Sequence, residues 1–136
     1  MAALTQDRNT TYREGVEMEC PVAGGTKIYA GSLVCRNATG YAVPGADLAG
    51  VKFLGVALEQ ADNTAGADGA RPVRVRRKGA FEMAASGLER VNLEDPVFVV
   101  DDQTVGLSGQ TSHQVACGRI AGFVSATSVF VDLDMR

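Results

Sequence analysis

The sequence predicts a mainly β fold: a single compact β-barrel or β-tulip-like domain with an extended N-terminal arm and little helix. Three observations carry that expectation. Short β-branched and apolar runs recur throughout the chain, separated by Gly, Pro, Asn and Asp clusters, the pattern of an all-β barrel or sandwich. In the run RPVRVRRKGAFEM, Val73 and Val75 alternate with Arg74 and Arg76, and a period of two places successive side chains on opposite faces of a strand. Gly55 and Gly122 fall inside strand-like runs, where glycine marks a bulge, a bend or a close backbone approach, as a small curved sheet requires.

The elements follow in order. Residues 1–14 are polar and aperiodic and read as the arm; residues 15–136 make the single β domain. From Gly15 to Val22, Val16, Met18, Cys20 and Val22 alternate with Glu17 and Glu19, giving a first strand with an acidic outer side. Gly24-Gly25 turns the chain into Thr26–Ala30, and Gly31-Ser32 leads to Leu33–Arg36. After the turn cluster Asn37–Gly40 comes Tyr41–Val43, ended by Pro44-Gly45. Val51–Glu59 is a strand, Gln60–Ala70 a loose acidic loop and flexible rim, and Arg71–Met83 one further strand. Ala84–Asn92 is the only candidate for a helical turn, weakened by Gly87. Asp95-Pro96 opens Val97–Val100, and Asp101-Asp102-Gln103 forms a hairpin loop into Thr104–Leu107. Ser108–Gln114 is polar loop, and two last strands flank Ser125–Thr127, with Val129, Val131 and Leu133 on one face.

Composition narrows the function classes. At 136 residues the chain is long enough for a core that needs no disulfide or metal staple. A net charge of −3 argues against a protein that coats nucleic acid. With no tryptophan and 6% aromatics, the usual anchors for sugars, bases and drug-like ligands are scarce. The opening MAALTQDRNTTYREG has no apolar core of signal-peptide length, and no run approaches a membrane span. Synthesis in the cytoplasm and no membrane partner are therefore expected. The sequons at Asn9 and Asn37 then read as chance matches.

The search for chemistry yields no catalytic residue, cofactor site or metal site. Cys20, Cys35 and Cys117 are an odd set in a reducing compartment and read as small core hydrophobes. With His113 they could form a Cys₃His set, but the close ligand pairs typical of structural zinc are missing. His113 is the sole histidine and lies in the polar loop GQTSHQ. Ser112, His113 and Asp101 make a triad only on paper, without a nucleophile elbow. The pair Asp101-Asp102 reads as turn chemistry, and Asp132/Asp134 as the outer face of the last strand.

Five of the thirteen basic residues, Arg71, Arg74, Arg76, Arg77 and Lys78, fall within eight positions. One partner for them is a set of acids across the sheet, such as Glu17, Glu19, Glu59 or Glu82. Another is an interface with a sister subunit or a second protein, where arginine forms forked bonds to carboxylates. Nucleic acid ranks below both, because a single-strand groove also needs aromatic platforms. Arg74, Arg76 and Arg77 are accordingly expected to meet carboxylates of a sister subunit or partner.

The arm LTQDRNTTYREG, then PVAGGTKIYAGSLVCRNATGYAVPG, FLGVALEQADNT, VRVRRKGAFEM and GRIAGFVSATSVFVDLD, in that order and over almost the full length, resemble the capsid cement (head decoration) proteins of tailed bacteriophages. The resemblance implies a non-enzymatic protein on the outer surface of an icosahedral head, similar in role to the lambda head decoration protein. It further implies a homotrimer that bridges neighbouring subunits of the major capsid protein, and an arm that pairs with capsid strands. Within that arm Arg8, Tyr12, Arg13 and Glu14 are the candidate contacts, with the Tyr12 ring as anchor. The alternative expectation is a small β-barrel binding nucleic acid or an anionic glycan through Arg74 and Arg76.

Overall fold

A computed structural model describes residues 2–11 and 13–133. The first sheet contains β1 (Glu17–Pro21), β3 (Leu33–Arg36), β4 (Ala42–Pro44), β5 (Lys52–Ala57) and β7 (Pro72–Arg76), in the order β1-β7-β5-β3-β4. The second contains β8 (Ala80–Ala84), β9 (Pro96–Val99), β10 (Val105–Gly106), β11 (Ala116–Ser125) and β12 (Ser128–Leu133), in the order β10-β9-β11-β12-β8. A ribbon of β2 (Thr26–Ile28) and β6 (Ala61–Asn63) completes the architecture. Every named strand pair is antiparallel.

Both sheets curl, so that a single parallel bridge links their outer strands. Val22, just past β1, bridges Ala42 of β4, and Ala84 of β8 bridges Thr104 beside β10. Curling of this kind shortens the exposed edges that would otherwise template pairing with another chain. Bulges supply the curvature: the β3/β5 register shifts between Val34 and Cys35, and the β11/β12 register shifts between Ile120 and Gly122. At Gly55 a Cβ would lie 2.5 Å from the Arg76 carbonyl oxygen, so only glycine lets β5 approach β7 this closely. At Gly122 a Cβ would meet only Phe130 of the neighbouring strand, at 3.4 Å, an ordinary contact.

The core has two compartments, and β3 divides them. Leu33 and Cys35 face the larger one, packed with Val56 of β5 and with Val97, Val99, Cys117, Ile120, Val129 and Val131 of the second sheet. Val34 faces the smaller one, with Cys20, Val73, Val75, Ile28 and Ala61 between the first sheet and the ribbon. A strand buried on both faces reads as an unbroken apolar run, as LVC does here. Alternation in β7 is as expected, with Val73 and Val75 fully buried and Arg74 and Arg76 exposed. In β12, Val129, Val131 and Leu133 are buried together.

Four expectations need correction. The run Arg71–Met83 is not one strand: β7 ends at Arg76 in the first sheet, and β8 starts at Ala80 in the second. Gly79, at φ 116°, adopts a conformation that L side chains rarely reach and carries the chain between the sheets. Residues 60–70 are not a loose rim, since Ala61–Asn63 pairs with Thr26–Ile28. The Asn63 side chain, 1% exposed, donates to the carbonyls of Val22, Ala23 and Ala67 at 3.1, 3.2 and 2.9 Å. Helical structure in 84–92 shrinks to a 3₁₀ turn at Arg90–Asn92, because Gly87 sits at φ 64°, and a second 3₁₀ turn occupies Ser108–Gln110 inside the expected polar loop. Met18, expected on the apolar face, is 39% exposed on β1, an outer strand of its sheet. No helix among the described residues is long and apolar enough to cross a membrane.

A candidate assembly surface

Two basic surfaces and one arm gather around β1. Its register against β7 sets Glu17 opposite Arg76 and Glu19 opposite Arg74. From there the Arg74 Nη2 donates to Glu17 Oε1 at 2.8 Å, diagonal to its register position, and the Arg76 Nη1 lies 3.7 Å from Glu17 Oε2. Hydrogen bonding to Glu17 is the largest influence raising the Arg74 pKa, followed by the field of the same carboxylate. Arg74 and Arg76 were expected to meet carboxylates of a sister subunit or partner, yet the carboxylate beside them is the chain's own. Antiparallel pairing brings it there, since oppositely charged residues on one face of two strands fall within reach. The side chains stay about half exposed, so the strip faces solvent as a partly neutralised surface.

The arm reaches β1 without packing on the domain. All described residues from 2 to 14 are exposed, and no strand forms among them. Thr10 N–H donates to the Arg8 carbonyl at 3.0 Å, a local turn. Arg8, Arg13 and Glu14 are thus solvent-facing, whereas Tyr12 lies outside the described residues. The arm ends at Gly15, with φ 74°, and the Val16 carbonyl then accepts the Arg77 N–H at 2.7 Å. Arg77 therefore stands at the root of the arm, where the chain leaves β7 for β8.

Arg77 also lines a groove of about 500 Å³ between the two sheets, bounded by residues 48–54 on one side and 113–116 on the other. A clamp fixes its rim. The Asp47 carboxylate accepts the backbone N–H of Ser112 at 2.7 Å and of His113 at 2.8 Å. The His113 Nδ1 lies 3.1 Å from the Asp47 carbonyl oxygen and 3.3 Å from Oδ1. These bonds hold the Asp47 carboxyl below its ordinary pKa, the Ser112 amide contributing most. Gln114, at φ 52°, is a non-glycine residue in the left-handed region. Its side-chain amide donates to the Ser108 and Thr111 carbonyls at 2.7 and 2.9 Å and holds the turn in place.

The geometry also sorts the residues weighed for catalysis and metal binding. The carboxylate beside His113 is Asp47, which sequence reasoning missed, and not Asp101, whose Oδ1 accepts the Gln103 N–H at 2.9 Å within its hairpin turn. Cys20 lies in the smaller core compartment, Cys35 and Cys117 in the larger, and His113 on the surface. Burial pushes the Cys35 thiol up to about 11 and the Cys117 thiol up to about 12, leaving both protonated and unreactive at neutral pH. Of the pair Asp132/Asp134, Asp132 is exposed on β12 and Asp134 lies outside the described residues. No group of three or more His, Cys, Asp or Glu side chains that could hold a metal ion occurs among the described residues.

Comparison with protein-family models, curated proteins and solved structures finds no match in any of the three. The reading of function rests on the surface itself.

Proposed function

We propose that this protein is a structural, non-enzymatic virion component that binds the outer surface of an icosahedral phage head. In this reading it is made in the host cytoplasm and stabilises the shell by bridging neighbouring major capsid subunits, acting as a homotrimer. The observation that carries the reading is the arm. A polar segment exposed at every described residue gains nothing for the isolated domain, but suits ordering on a neighbour by adding a strand to an exposed edge. Its attachment to β1, an outer strand with exposed Glu17, Met18 and Glu19, places arm and strand edge side by side. Once one contact forms, further contacts of an oligomer are effectively intramolecular, and avidity rises by about 10²–10⁴.

The alternative, a polyanion-binding barrel, draws less support. Its charge strip is shared with Glu17, and the molecule as a whole is acidic. The test is co-sedimentation with purified expanded heads lacking this protein, comparing the full chain with a variant lacking residues 2–14. Retention of a folded, oligomeric core with loss of head binding is expected; equal binding by both chains would refute the role of the arm.

A further inference from the structure

The outer edge of β1 carries backbone groups that the fold leaves unused. Val22 N–H donates to the Arg71 carbonyl at 2.9 Å and Arg77 N–H to the Val16 carbonyl at 2.7 Å. Between them the register runs from Glu17↔Arg76 to Pro21↔Pro72. Bonded and non-bonded positions alternate along an antiparallel ladder. Val16, Met18, Cys20 and Val22 therefore turn their backbone groups toward β7, while Glu17 and Glu19 turn theirs away from it. No strand or loop among the described residues pairs with Glu17 or Glu19 on that side. Two N–H and two C=O groups thus form an open edge, which Pro21, lacking an N–H, brings to an end. The side chains define what fits beside it. Glu17 and Glu19 are exposed on one face, and Met18, 39% exposed, lies on the other with the buried Cys20. Arg74 and Arg76 share Glu17, whereas no ion pair among the described residues includes Glu19.

We propose that this edge accepts an extended segment of the shell subunit in which two basic residues flank an apolar one. The cations lie beside Glu17 and Glu19, and the apolar side chain covers Met18. The proposal rests on the head-binding reading and names a second contact for it: the arm donates a strand to the shell, and β1 receives one. Main-chain bonds give such an addition its affinity, and alternate side chains give it specificity. Charge selects the partner. An added strand lies roughly 5 Å from β1 and roughly 10 Å from β7, so it meets the two carboxylates directly and Arg74 and Arg76 only at second range. A second copy of β1 is excluded by the same charges. Pairing two copies about Met18 would set Glu17 of each opposite Glu19 of the other, and like charges directly opposite destabilise a strand pair. Gly15 joins the arm to β1, so one contact brings the other within reach of the same shell region.

The test uses the full chain and the same purified heads. Glu19→Lys reverses an exposed charge, and Glu19→Pro removes an N–H that β7 does not use, a position where an edge strand tolerates proline. Both should keep the fold, verified by an unchanged melting temperature, and either one decides the matter should the other melt early. Each is expected to weaken head binding by at least ~10-fold. The Glu17 and Glu19 amides should exchange freely in the isolated protein and gain protection on decorated heads. Wild-type binding with no effect of either variant and no added protection would overturn the edge contact and leave the head-binding reading standing. Absence of wild-type binding would overturn both. Protection of these amides already present in the isolated oligomer would give the edge to a sister copy and overturn the assignment to the shell subunit.

Discussion

The two basic surfaces of this molecule are adjacent in sequence and differ in what faces them. Arg74 and Arg76 project from one face of β7, and the neighbouring strand β1 sets Glu17 within 2.8 Å and 3.7 Å of them. Arg77, next in the chain, turns toward a groove whose lining contains Lys52 and no carboxylate. The difference arises from strand order. β1 covers β7 along its full length, while β5 is left uncovered at Lys52–Leu54 because β7 ends and crosses to the other sheet. A cluster of arginines in sequence therefore divides in the fold, with Arg74 and Arg76 sharing Glu17 on the outer face of β7 and Arg77 reaching the groove between the sheets.

The contrast can be broken most severely at Gly55, where β5 and β7 approach. Gly55→Ala puts a Cβ 2.5 Å from the Arg76 carbonyl oxygen, so the strands must separate. A loss of about 2–3 kcal/mol in chemical denaturation is expected, together with altered amide shifts at both basic surfaces. A loss below 0.5 kcal/mol, the scale of an ordinary surface substitution, would mean that the close approach does not organise them.

A smaller effect should follow from Glu17→Gln. The pairs it removes are exposed, so stability should fall only slightly and the fall should vanish at high salt. Retention on a heparin column should rise as Arg74 and Arg76 lose their carboxylate. Unchanged retention would show that the strip is not compensated by Glu17 in solution.

The smallest effect concerns the rim clamp. The Asp47 carboxyl is held below its ordinary pKa by the Ser112 and His113 amides, so its contribution is complete above the unfolded carboxylate value of about 3.9. That contribution is lost as pH falls through the lower folded value. The protection of the Ser112 and His113 amides, taken relative to their intrinsic exchange rates at each pH, should persist from neutral pH down to about pH 4 and fall below it. Release already near pH 6 would assign the clamp to a group other than this carboxylate.

Much of the fold was legible because burial leaves a period in the sequence. Val73 and Val75, and Val129, Val131 and Leu133, are buried where alternation placed them, and Gly55 and Gly122 sit beside the bulges they implied. Parity, however, does not say which sheet a strand joins. The odd-numbered apolar positions continue from Val75 to Phe81 and Met83 across Gly79, so a run divided between two sheets reads as one strand. Asn63 was hidden for another reason: a buried amide bonded to three carbonyls looks, in sequence, like any loop asparagine. The groove was equally invisible, since Lys52, Arg77 and His113 are far apart in the chain and only the junction of the sheets brings them together.

The most direct test of the assembly role is cryo-electron imaging of naked expanded heads incubated with the full chain or with the chain lacking residues 2–14. Added density on the outer face of the shell, at three-fold and quasi-three-fold positions and only with the full chain, is the expected result. Bare heads at saturating concentrations of the full chain would contradict it.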